Sequence, residues 1–195
     1  MKIVKNYPNN ILINKIIEAA NTYKNVCNKN LLYIALSQNP DNIFMFEAKY
    51  RPQHFAHLCG IYSNTMTAVE FYENCINNPA AITMECCTPS WHHSRIDICE
   101  KISVLSDLLN LRNMKAFRSG EKMQGVGNVD FDFGVGDGCF IGYKYEPNKN
   151  ICFPYTNMVA PISSYCTDPR RVSLVLSKPK ELPLYNKVEC QLPIT

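Results

Sequence analysis

Glycine is scarce in this chain, eight residues in 195, and where glycines gather, at Gly125 and Gly127 and again at Gly134, Gly136 and Gly138, no Gly-Lys-Ser/Thr follows. A phosphate loop needs that lysine and a helix start behind it, whereas the next segment reads as a strand, so these glycines are hairpin corners. Long hydrophobic runs are also missing: nothing approaches the roughly 18 uncharged apolar residues of a membrane helix. The N-terminus does not show the basic, apolar and small-residue order of a signal peptide. These absences predict a soluble cytoplasmic protein without a membrane partner. Despite ten cysteines there is no Cys-x-x-Cys pair. A reducing compartment disfavours disulfides, and the thiols read as small buried hydrophobes. The residues most like a zinc set are Cys86, Cys87, His92, His93 and Cys99, yet adjacent residues point apart in a strand and the repeated short ligand spacing is absent, so no metal and no cofactor is expected. Ser90, Ser94 and Asp97 near His92 lack a nucleophile-elbow signature. The single tryptophan, Trp91, is open to two readings, base stacking or packing support. Only 19% of residues are charged, with a net +3, which suits a nucleic-acid partner without demanding one.

What is present is enough apolar material, 46% of residues, to build a core, and the expectation is a single domain over residues 1–195. Ile13, Ile16, Ile17, Ala20 and Tyr23 recur at helical spacing after Pro8 and predict a helix over 9–24. Thr67-Ala68-Val69-Glu70 is a capping box that starts a helix to about Asn77. Cys99, Ile102, Leu105, Leu108 and Leu109 mark one face of a helix over 96–112. Apolar runs and period-two alternation predict strands at 31–36, 43–50, 129–135, 139–145, 151–155 and 171–177. Pro179, Pro183 and Pro193 keep the tail from long regular elements. The fold class is α+β, with helices on one face of one twisted, mostly antiparallel sheet.

The densest polar run is Lys49-Tyr50-Arg51-Pro52-Gln53-His54-Phe55-Ala56-His57-Leu58-Cys59-Gly60. A strand with two cations enters a Pro-started turn with two histidines, which gathers a proton carrier and phosphate-binding charge around one point. The competing reading is a basic surface strand with a histidine capping the turn.

Phe55-Ala56-His57-Leu58-Cys59-Gly60 resembles the Phe-x-His-Leu-Thr-Gly motif of the fourth phage family of the Barnase/EndoU/colicin/RelE (BECR) superfamily of predicted ribonucleases. Lys49-x-Arg51 resembles the basic lead-in of that family, and Ala68 to Cys75 its following helix. Lys101-Ile102-Ser103-Val104-Leu105 is similar to its Lys-x-x-x-Leu helix. Gly136 with Cys139 to Lys144 is similar to its Gly-x(n)-Leu-Gly-Phe strand, and Phe153-Pro154-Tyr155-Thr156 to its Val-Pro-Asn-Ser turn. The likeness covers about residues 15–180, leaving 181–195 as a C-terminal tail. Cys59 replaces the motif threonine, Thr156 replaces a serine, and Val159-Ala160-Pro161-Ile162 stands where Leu-Lys-x-Asp is usual.

The resemblance implies a BECR-like fold and metal-independent RNA cleavage, in which a 2'-hydroxyl attacks its neighbouring phosphate to leave a 2',3'-cyclic phosphate. His57 is the expected proton carrier, since imidazole titrates near neutrality. Lys49 and Arg51 would stabilise phosphorane charge, and Thr156 would hold a non-bridging oxygen. His54, Tyr155 and Lys144 are the expected substrate-binding residues. The expected partner is RNA or a nucleotide in the cytoplasm of a bacterial host, with an inhibitor or host protein as a further candidate. A different class stays open: a catalytically silent module of a phage or mobile element that binds a nucleotide, RNA or a host protein.

Overall fold

Pro8, with ψ at 153°, breaks the chain into its first helix, α1 (Asn9–Tyr23), which has no side-chain cap at its start. The computed structural model describes residues 6–35, 43–90, 93–111, 118–121, 131–166 and 170–192. Within it the chain forms two units, each made of two separate stretches: one runs to Cys27 and resumes over Arg51–Leu109, and the other takes Asn28–Tyr50 and the chain from Asn110 onward.

The first unit is helical. On α1 the residues Leu12, Ile16, Ala19, Ala20 and Tyr23 are buried, the stripe that a 3.6-residue period produces. After the short helix α2 (His54–Leu58) and strand β3 (Ile61–Tyr62) comes α3 (Ala68–Asn77), then β4 (Thr88–Pro89) and α4 (Arg95–Leu109). The α3 capping box forms as the sequence predicts: the Glu70 amide donates to Thr67 Oγ1 at 3.2 Å and the Thr67 amide to Glu70 Oε2 at 2.8 Å. A second reciprocal cap starts α4, where the Ser94 amide donates to the Asp97 carboxylate and the Asp97 amide to Ser94 Oγ. Arg95 ties the starts of α4 and α1 together by donating to Tyr7 O and Asn9 Oδ1, both at 2.8 Å. Tyr23, Phe55, Phe71 and Tyr72 close the core between α1, α2 and α3, with ring centroids 5.3 to 6.3 Å apart.

The second unit is the sheet: β1 (Lys29–Ala35), β2 (Phe44–Lys49), β5 (Arg118–Glu121), β6 (Phe133–Gly136), β7 (Phe140–Glu146), β8 (Ile151–Met158), β9 (Arg170–Pro179) and β10 (Lys187–Gln191). The strand order is β1-β2-β8-β7-β6-β5-β9-β10, antiparallel except for β2 beside β8. The protein is thus α+β with a mostly antiparallel sheet, as expected. The pairing goes further, because β9 also pairs with β1, so seven strands form a ring and β10 lies outside it on β9. Register shifts at Ile34/Ala35, Val188/Cys190 and Gly142/Tyr143 supply local bends, and bulges of this kind let a twisted sheet curl. A Cβ at Gly136 would lie 2.1 Å from the Cys139 carbonyl oxygen, so only glycine fits the β6–β7 corner.

Aromatic residues fill the ring. Phe46 on β2 stacks on Phe133 of β6 with centroids 5.1 Å apart, although two strands separate theirs in the sheet order. Tyr33, Tyr50 and Tyr143, each at most 1% exposed, bring their hydroxyls to 2.6 to 3.2 Å of one another. Three hydroxyls so placed satisfy one another where water cannot reach. A second cluster, Phe131, Phe140, Ile162 and Cys166, packs with Met158 and Tyr165.

Part of the expected strand 129–135 and Leu36, together with Trp91, His92, Arg112, Gly125, Gly127 and Pro193, lie outside the described residues. In the tail only a short strand is described: β10 forms between Pro183 and Pro193 and pairs with β9 through Val188↔Leu176 and Cys190↔Val175. Neither proline falls inside the strand, so no ladder donor is lost.

Candidate functional site

Pro52 starts a helix where the sequence suggested a turn. The His54 amide donates to Arg51 O at 3.1 Å and the Phe55 amide to Pro52 O at 3.2 Å, and α2 follows for five residues. Its sides differ sharply. Phe55, Ala56, Leu58 and Cys59 are buried, whereas His57 is exposed. The fully buried Phe55 ring anchors the helix and thereby presents the His57 imidazole to solvent. Arg51 is half-buried, and its carbonyl accepts a 2.8 Å hydrogen bond from the Tyr23 hydroxyl, fixing the backbone just before α2.

Gly60 ends this segment in the left-handed region, φ +73°, with its amide donating to His57 O at 2.9 Å. A Cβ on Gly60 would stand 2.9 Å from Lys101 Cδ and 3.3 Å from His93 Cδ2. The motif glycine is therefore required twice, by its dihedral and by the lysine stem that crosses it. The Gly60 carbonyl accepts from the Ser90 amide at 3.0 Å, and the His93 amide donates to Ser90 O at 2.7 Å, which holds the His93 loop against the end of α2.

Lys101 projects from the buried face of α4 and is only 6% exposed. Burial brings its ammonium down to about 8, against the pull of Cys59 and Asp97 in the other direction. His57 is held below its ordinary value, first by the protein packed around the ring and then by the Lys101 charge. It is therefore neutral at neutral pH. Burial, Arg51 and His57 bring His54 down to about 4, so it too is neutral there.

The remaining expected site residues belong to the sheet unit. Lys49 is half-buried at the end of β2, in register with Asn30 of β1. Thr156 on β8 is buried, its hydroxyl donating to Asn157 O at 3.3 Å. The register shift at Gly142/Tyr143 sets Thr156 opposite Gly142, where its Cγ2 lies 3.0 Å from the place a Cβ on Gly142 would take. Lys144 and Tyr155 are brought together: the ammonium lies 5.6 Å from the ring centroid on the outer face of β7 and β8, with Phe153 in register with Lys144 and 6.5 Å from Tyr155.

Sequence reasoning passed over Lys101 and His93 as partners of His57. The signal was there for Lys101: it falls three residues after Ile98 and three before Val104, inside the apolar stripe of α4. A lysine in such a stripe is either paired or functional. Among the described residues no three His, Cys, Asp or Glu side chains come together to hold a metal ion, with His92 outside that set. Cys86, Cys87 and Cys99 are all buried. Among the same residues no helix is long and apolar enough to cross a membrane.

Searches of curated proteins and of solved structures return no match for this chain. The family described as phage-Barnase-EndoU-ColicinE5/D-RelE like nuclease 4 matches residues 15–191, which takes in the histidine motif, the capping-box helix, α4 and the sheet through β10. By that match over most of its length, the chain belongs to the fourth family of phage BECR-like nucleases.

Proposed function

We propose that this member of a phage nuclease family is an endoribonuclease that cuts RNA without a metal ion, through attack of a 2'-hydroxyl on the adjacent phosphate. The observation that carries the reading is His57: an exposed residue on an anchored helix, kept neutral at neutral pH by burial of its ring and by the Lys101 charge. A neutral imidazole takes the 2'-hydroxyl proton, and Arg51 offers a planar fork to the phosphate oxygens. Lys49, on the same stretch of chain, adds positive charge, and Thr156 is proposed as a hydrogen-bond donor to a phosphate oxygen. The Lys144–Tyr155 pair suits a nucleobase, which stacks on an aromatic ring while its phosphate meets the ammonium.

The test is incubation of the purified protein with mixed RNA in EDTA, followed by analysis of the ends. Cyclic-phosphate termini are expected from the wild type and none from His57→Ala. Arg51→Lys should retain more activity than Arg51→Ala, because charge survives but the bidentate geometry does not. The buried hydroxyl of Thr156, which donates to Asn157 O, favours a second reading, a silent module that binds RNA or a nucleotide. Intact RNA together with measurable affinity for it would select that reading.

A further inference from the structure

We infer that Lys101 is a positioning residue for His57, its stem seating the turn that carries the imidazole and its buried ammonium keeping the ring unprotonated. The inference rests on the nuclease reading above for its catalytic meaning, while the place of the Lys101 stem beneath the Gly60 turn that is bonded to His57 stands on geometry. Lys101 comes from the core face of α4, is 6% exposed, and fills the space a Cβ on Gly60 would need, its Cδ 2.9 Å and its Cε 3.5 Å from that point. Gly60 is hydrogen-bonded back to His57, so the lysine stem forms the floor on which the end of α2 rests. A cation buried there acts through little water, and it is the charge that lowers His57.

Among the described residues, groups from three places face this ammonium. From α2 and its cap come His57 and the thiol of Cys59, whose own ionisation burial pushes well above its ordinary value. From α4 comes Asp97, one turn earlier, and from the loop before α4 comes His93, which meets the same side of Gly60. His54 and, through it, Arg51 face His57 from the start of α2. Of these, Asp97 favours the charged lysine, and the charged lysine disfavours a charged His57. The arrangement holds a base in its proton-accepting form without placing a carboxylate beside the phosphate, where it would repel substrate.

Histidine proton resonances followed by NMR against pH test the coupling in the full chain. In the wild type the His57 ring should show its main titration below the ordinary histidine value and a second, smaller inflection near pH 8, as Lys101 loses its proton. Lys101→Met should abolish the second inflection and move the main one to higher pH. Lys101→Arg should restore the low main titration and leave no inflection near 8, since guanidinium does not deprotonate there. In RNA cleavage the acid limb of the pH–rate profile should move up in Lys101→Met and stay in place in Lys101→Arg. A His57 ring that titrates in one step, at the same pH in the wild type and Lys101→Met, overturns the inference. Should the wild type cleave no RNA, the nuclease reading fails while the NMR titration still decides the coupling. Should it cleave with an acid limb indifferent to Lys101→Met, the coupling fails and the nuclease reading stands. If Lys101→Met does not fold, the wild-type inflection and Lys101→Arg decide alone.

Discussion

His54 and His57, three residues apart, are both held below the ordinary histidine value, first by burial and then by neighbouring charge. His54 in the unfolded chain takes up a proton near the ordinary 6.5, but in the fold only near 4. Between those values the unfolded chain holds more protons, so stability rises with pH across the window and is lost as pH falls from about 6.5 toward 4. Urea unfolding across this range should show that slope in the wild type and a weaker one in His54→Gln. Lys101 behaves in the same sense at higher pH: its burial penalty is present in full below about 8 and is relieved as pH rises toward 10.5. At neutral pH, Lys101→Met should therefore match or exceed the wild type in thermal denaturation, since it replaces a buried charge with an apolar chain of similar volume. A large drop in Tm would mean that the pairing of Lys101 outweighs its desolvation. The histidines were legible as chemistry from their neighbours in the chain. The apolar stripe of α4 marked Lys101 as unusual, but not its link to His57, because Gly60 and His57 stand 41 or more residues earlier in the sequence.

At the scale of elements, the helices with strong local signals formed where the sequence placed them. The α3 capping box needs only four consecutive residues, so its contribution is local, and Thr67→Ala should cost about 1 kcal/mol in denaturant unfolding. The α1 and α4 stripes are periodic over 15 residues each, long enough for the pattern to stand out. In contrast, α2 has five residues and no readable period, and it exists because Pro52 presets its start and Phe55 is buried beneath it. Its end depends on Gly60. Gly60→Ala should cost about 1–2 kcal/mol from the left-handed dihedral alone. The added methyl also crowds the Lys101 stem, so the same variant should disturb the His57 titration, which a Thr67→Ala control should leave unchanged. The strands β5 and β10 escaped the sequence for a related reason: at four and five residues they are specified by the β9 edges they pair with, more than by their own composition.

For the whole molecule, ten cysteines without paired spacing lead to an expectation that can be measured directly. Purified protein should carry no stoichiometric zinc, and EDTA should leave its thermal transition where it was. Elemental analysis finding about one zinc per chain would overturn this. By itself the sequence determined what is encoded within a few residues or one helical turn: the α+β class, three of the helices, the alternating strands and the histidine motif. These depend on dihedral preference, capping and periodicity, which act between near neighbours. Only the tertiary structure decided which strand edges meet, and so whether the sheet stays open or closes from β9 to β1, since loop-closure entropy and register couple residues over 100 positions apart. It likewise decided that Thr156 is buried while Lys49 is only half-buried, and that the cation beside His57 is a buried lysine from α4. Burial and electrostatic strength are set by what packs around a group, and no stretch of chain contains its own surroundings.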